Sequence, residues 1–437
     1  LLSIGIGIQS SLYKIVLIVL LLQWLFTGQI KKKYLKLKTN KLAIGLVGIY
    51  FLYVLSYLWS ENKELASLEI IFKSPLIVLP VIMLSHYQIK TLTINRVLLA
   101  FAVSILLFNS FCFAHSFLSF LETGLINDFY YTSLSKSMNT AYQAMFTTFS
   151  IVVFVHLFVR DRFISKSAVY FSVTVQMLFI LLLSSRMQIL IMMVIIPIYL
   201  ISYYYKRQRV SLGFIYTILI FGFSYLIIKA PSSLNDRYQL TISQIENNNS
   251  DPRKYIWAEG LNLKKNNWFF GAGAGDVKSL LVSRYSDKVI DFPVSQSLID
   301  STIIELKKNK RVVNYLIKKS IKKSEKFDYV LQNYAVNLLE NSSNQYEKAF
   351  AREFNFHNQY LSVFGTVGVF GFGVLVFVLI YPFVLSIKNK DYLACLFFFI
   401  TAASFLTESM LERQAGVSFF AFFYTVMICR FNQSKPS

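Results

Sequence analysis

Apolar runs of membrane-spanning length, separated by short polar turns, recur along most of this chain. They fall near 12–28, 42–60, 70–87, 97–121, 141–159, 167–185, 187–204, 211–229, 361–385, 392–408 and 416–430. A helix needs about 20 such residues to cross the hydrocarbon core of a bilayer, so the pattern predicts an all-α polytopic membrane protein. The opening LLSIGIGIQ reads as the end of one more span. About twelve transmembrane helices are then expected, with the first truncated here. One long hydrophilic segment interrupts the pattern. It divides the chain into N-terminal transmembrane helices (1–229), a large, mainly helical loop (230–356) and C-terminal transmembrane helices (357–437).

A content of 55% hydrophobic and 16% aromatic residues agrees with this and argues against a soluble domain. The net charge of +21 raises nucleic acid as a partner, but the basic residues lie in short connections between spans. Alternate connections carry KKKYLKLKTNK (31–41), RDR (160–162) and KRQR (206–209). The short connections on the other side hold only Lys63, Lys136, Arg186 and Arg413. Basic residues favour the cytoplasmic side, which places 230–356 outside. In a bacterium that means the periplasm or the cell surface. Cys112, Cys395 and Cys429 all fall within spans, lack metal-ligand spacing and read as small core residues.

Within the large loop, SDPRKYIWAEGLNLKKNN predicts a helix. Asp251 suits its cap, Pro252 its first position, and Arg253 lies in the first turn. WFFGAGAGD then turns the backbone. The lysine-rich stretch from Ile303 to Glu340 has apolar residues at helical spacing, predicting one or two amphipathic helices over the outer membrane face. Its lysines suit an anionic glycan lipid, or simply a solvated face.

The chain holds four histidines, and one opens the helix HNQYLSVFGTVGVFG. There His357 sits at a positive helix end, which disfavours the imidazolium and suits a general base. On residues alone, its role stays open between structural and catalytic. Gly365, Gly368 and Gly371, three residues apart, let another helix approach. Arg186, between two spans with almost no loop, is costly at that depth unless paired or solvated. Arg253 could bind an anion with its helix end, or be merely exposed. Gly271 and Gly273 of GAGAGD fit a tight turn better than a phosphate cradle, since no Lys-Ser/Thr pair follows. Glu408, Glu412 and Arg413, in LTESMLERQAG, are expected to face a cavity or one another. No metal-ligating cluster stands out in the outer loop, and no cofactor is implied.

Ser185-Arg186, RKYIWAEGLNL with NNWFFGAGAGD, HNQYLSVFGTVGVFG and TESMLERQAGVSFFAFF occur in an order that resembles the O-antigen ligase/polymerase family of bacterial membrane glycosyltransferases. The resemblance covers the second half; earlier spans match only in topology. It implies metal-independent, inverting transfer of a glycan from an undecaprenyl diphosphate carrier to an acceptor hydroxyl. His357 would be the base, Arg186 and Arg253 the diphosphate ligands, with Asn358, Tyr360, Gly271, Gly273, Glu408 and Arg413 in support. Lipid A core is the acceptor of a ligase, another lipid-linked glycan that of a polymerase, and a protein that of an oligosaccharyltransferase. Met187 after the Ser-Arg, Thr366 in the His helix and Asn139–Tyr142 (NTAY) depart from the family's pattern. A lipid-linked glycan flippase is the alternative of another class. It should carry mid-membrane charges, whereas here Lys73 lies near the end of its span, where snorkelling would suffice.

Overall fold

The computed structural model describes residues 2–205 and 252–433, apart from 8–11, 29, 39, 86–89, 137, 160–162, 264–267, 290–295 and all of 309–325 but 313 and 317. The run expected at 211–229 and the cap expected at Asp251 lie outside the described residues. Every regular element among them is helical. The first half comprises α1 (Leu2–Gly7), α2 (Leu12–Phe26), α3 (Ile30–Lys38), α4 (Lys41–Ser56), α5 (Lys63–Lys73), α6 (Pro75–Ser85), α7 (Thr91–Thr123), α8 (Tyr131–Leu134), α9 (Thr140–Val159), α10 (Lys166–Leu182) and α11 (Arg186–Tyr205). Then follow α12 (Pro252–Asn262), α13 (Val277–Ser286), α14 (Gln296–Lys308) and α15 (Phe327–Ala351). The chain closes with α16 (Gln359–Lys388), α17 (Tyr392–Phe405) and α18 (Gln414–Gln433).

Among the described residues, five stretches are long and apolar enough to cross a membrane: Lys63–Ser85, Thr91–Thr123, Thr140–Val159, Gln359–Lys388 and Gln414–Phe431. Shorter apolar helices occupy Ile15–Phe26, Lys41–Ser56, Lys166–Leu182, Arg186–Ile195 and Tyr392–Phe405. The run expected from residue 70 begins earlier, because Asn62 caps α5 by accepting from the Leu65 amide.

Helices α9 and α18 are each 83% buried over their apolar windows, against 39–44% for the other three, so these two form the centre. A helix apolar on every side belongs inside. Phe146 stacks on Phe419 at 4.2 Å, and Phe101 meets Phe423 edge-on at 4.5 Å, locking α7 and α9 to α18. At the far end of α17, Arg430 grips both carboxylate oxygens of Asp391 at 3.0 and 3.2 Å. Gly45 lets α4 close on α16, since a Cβ there would stand 2.9 Å from Val378.

The large loop has its own apolar core. Ile256, Leu281, Tyr285, Ala349 and Phe356 pack α12, α13 and α15 together. Most of 309–325, in the middle of the amphipathic stretch expected over the membrane, lies outside the described residues; on either side of it Ile299 of α14 packs against Ala335 and Leu339 of α15.

Helix α16 is interrupted near its start. Val367 (φ −126°) and Gly368 (φ 69°, ψ −162°) leave helical geometry. The backbone groups released there pair with the glycine loop: Val369 donates to the Trp268 carbonyl at 3.0 Å, Ala272 to Gly365 at 2.7 Å and Gly273 to Thr366 at 3.0 Å. At Gly368 the close approach is therefore made by the glycine loop rather than by the second helix expected there, while a Cβ on Gly365 would meet the Phe356 ring and Val277 at the start of α13. A Cβ on Gly368 would collide with the Phe269 carbonyl. That backbone region is essentially restricted to glycine, so Gly368→Ala is expected to cost at least about 2 kcal/mol. Gly373 has open space around it, and Gly373→Ala should stay within about 0.5 kcal/mol. Thermal midpoints of the two purified variants in detergent check this; equal midpoints would contradict the pairing.

Candidate functional site

The head of α16 is held against the turn between α17 and α18. Asn358 is the N-cap: its side chain accepts from the Leu361 amide at 3.1 Å. The same side chain donates to the Leu406 carbonyl at 3.1 Å, and its amide donates to Ser409 Oγ at 3.2 Å. Gln359 Oε1 accepts from the Leu411 amide at 2.5 Å, and the Tyr360 hydroxyl donates to the Ala402 carbonyl at 3.0 Å. Tyr142 supports the turn from α9, its hydroxyl lying 3.2 Å from the carbonyls of both Ser409 and Met410.

His357 precedes the cap and so lies outside the helix it was expected to head. Its φ is +44°, in the left-handed region, which costs a residue with a Cβ roughly 1–2 kcal/mol. Its amide donates to Asn355 Oδ1 at 3.0 Å. Its Nδ1 lies 3.3 Å from Glu408 Oε2, with the histidine side chain 27% exposed and the glutamate 11%. A carboxylate facing Nδ1 favours the tautomer with its proton there and leaves Nε2 as the acceptor. The group beside the ring is thus a carboxylate, not the helix end alone. The Phe354 ring packs edge-on at 5.4 Å.

Helix α11 starts at Arg186 itself, after a turn in which Ser184 has φ +51°. Gln188 Nε2 donates to Ser404 Oγ at 2.7 Å, fastening that helix to the end of α17 that leads to Glu408. Arg253 lies in the first turn of α12, one turn before Trp257. Trp257 Nε1 donates to the Phe356 carbonyl at 2.9 Å, next to His357. Gly260, on the same helix, leaves room only for the Phe356 ring. Both arginines are half-buried. The elements bearing Arg186, Arg253 and His357 therefore meet at one end of the bundle.

The remaining expected residues separate by role. Ala272 and Gly273 donate to α16, while Ala274 donates to Ser56 Oγ and Gly275 to Ser60 Oγ, both at 3.2 Å. Gly271 and Gly273 are closely packed: a Cβ on Gly271 would collide with Thr366 and one on Gly273 with Ser60. Asp276 accepts from the Glu61 and Asn62 amides at 2.7 and 2.9 Å. Arg413 is exposed, and its carbonyl accepts from Val417 at 3.1 Å as α18 begins. Lys73 does not snorkel. It is 2% exposed, paired with Glu69, and its ammonium stands 4.4 Å over the Tyr53 ring.

Asn355 and Ser362 were not expected at the site, and Glu412 was expected only as a charged residue of the outer turn. Glu412 accepts from Asn355 Nδ2 at 2.5 Å and from Ser362 Oγ at 3.0 Å. Burial pushes its carboxyl above the usual range, and those two hydrogen bonds act in the opposite direction. The signal in the sequence was a second glutamate four residues after Glu408 in a turn between spans.

Residues 171–298 match the family model described as O-antigen ligase. The match runs from α10 into α14 and includes Arg186, Arg253, Gly271 and Gly273, but stops before His357 and Glu408. No curated protein matches the chain. Replacing Asn358 by Ala removes both the cap and the bond to Leu406, and should lower stability by about 1–3 kcal/mol. Asn358→Ser keeps an N-cap acceptor and should lose less; a thermal melt that ranks the two the other way would contradict this geometry.

Proposed function

We propose that the protein is an O-antigen ligase-type glycosyltransferase. It would move a glycan from undecaprenyl diphosphate to an acceptor hydroxyl, that of lipid A core, at the periplasmic face of the bacterial inner membrane. The observation that carries this reading is the contact of His357 with Glu408 at the meeting point of α11, α12, α16 and α17. The family match over 171–298 supports the reaction class.

In this reading His357 Nε2 takes the proton of the acceptor hydroxyl while Glu408 holds Nδ1–H. The acceptor oxygen attacks the anomeric carbon from the face opposite the diphosphate. The bond from that carbon to the phosphate oxygen breaks, the diphosphate leaves with the electron pair, and the anomeric configuration inverts. The guanidinium groups of Arg186 and Arg253 would offset the charge that develops on the leaving group. The reading is metal-independent. Asn358 and Tyr360 hold the head of the helix, and in this reading the 230–356 loop would bring Arg253 over the site.

A polymerase or a protein oligosaccharyltransferase would share this donor chemistry and differ in acceptor. One observation favours a flippase: Lys73, buried within a span and paired with the half-buried Glu69.

In a transfer assay with lipid-linked glycan donor, lipid A core acceptor and chelator, His357→Ala should lower kcat by at least ~100-fold. Arg186→Ala and Arg253→Ala should each lower it by about 100-fold. Full activity in His357→Ala would overturn the base assignment, and transfer only to a carrier-linked acceptor would favour a polymerase. Translocation without transfer would favour the flippase.

A further inference from the structure

The turn that carries His357 is held from beneath. Asn355 bridges two groups: its Oδ1 accepts from the His357 amide at 3.0 Å, and its Nδ2 donates to Glu412 Oε2 at 2.5 Å. The other oxygen of Glu412 accepts from Ser362 Oγ at 3.0 Å, one turn into α16. One carboxyl group thus joins the residues on both sides of His357. The backbone it braces is unusual, with φ +44° at both Glu353 and His357. Left-handed residues with side chains persist only where the surroundings hold them. The ring of His357 meets Glu408 across the same turn that presents Glu412, so a relaxed backbone would move the ring away from its partner.

We infer that Glu412, acting through Asn355, is a positioning residue that sets the pose of the His357 ring. It touches no reacting atom. The inference rests on the reading of His357 as base only for its effect on rate; its effect on the pose of the ring is independent. A glutamine at 412 retains an oxygen to accept from Asn355 and an amide that can donate to Ser362 Oγ. An alanine retains neither.

The test uses the full-length protein in detergent with two readouts. The first is the rate at which diethyl pyrocarbonate modifies His357, followed by peptide mass spectrometry. Glu412→Ala should change that rate at least about threefold and Glu412→Gln should leave it unaltered. The second is glycan transfer. Glu412→Ala should lower kcat by about 10- to 100-fold with an unchanged KM for donor, Glu412→Gln should restore it, and the alanine should add no further loss to His357→Ala. An altered modification rate with unaltered transfer supports the positioning and places the failure on His357 as base. An unaltered modification rate in folded Glu412→Ala overturns the inference. Should Glu412→Ala fail to fold, Asn355→Ala removes the same bridge and is read by the same two measurements.

Discussion

A helix interrupted inside an apolar layer must find new partners for the backbone groups it releases, because water is not there to take them. In α16 the interruption at Val367 and Gly368 meets this constraint by pairing with residues 268–273. The pairing has wide consequences. It seats the glycine loop against Ser56 and Ser60 at the end of α4, and Asp276 against the start of α5. The large loop is therefore joined to the bundle through backbone hydrogen bonds, which leave little freedom of position. Helix α12, immediately before the loop, takes its place from the same joint and adds its own tie from Trp257 to Phe356.

The polar contacts around His357 follow the same logic at a second joint. Asn358, Gln359, Tyr360, Asn355 and Ser362 each reach the α17–α18 segment directly through short side chains. In surroundings this apolar, an unmet donor or acceptor costs more than it would at a water-exposed surface. The network therefore tolerates few alternative arrangements. Such rigidity suits a histidine that must meet a hydroxyl at a set angle, since misplacement by about 1 Å can cost 100-fold in rate. It also explains how a left-handed histidine is sustained.

The helical, membrane-spanning character was legible from hydropathy alone, because lipid demands long apolar runs whatever their neighbours. The ends of most spans, Pro252 at the start of its helix and the glycine loop as a turn could also be read, since these follow from local chemistry. The buried Lys73 could not. Its neighbour Glu69 was visible at helical spacing, but nothing local indicated that α5 faces Tyr53 rather than lipid.

Sequence by itself determined the all-helical plan of the chain, with apolar runs long enough to span a membrane. The spans, Arg186 at a span end, His357 just before one and Arg253 in a loop helix follow from hydrophobicity and backbone preference, which act over a few residues. Tertiary structure alone decided that α16 breaks at Gly368, that Glu408 faces His357 and that Glu412 is joined to Asn355. The residues in each of these pairings are separated by about 50 to 100 positions along the chain, except within the break itself. Contacts at such separations depend on how whole helices pack, and no local pattern encodes them.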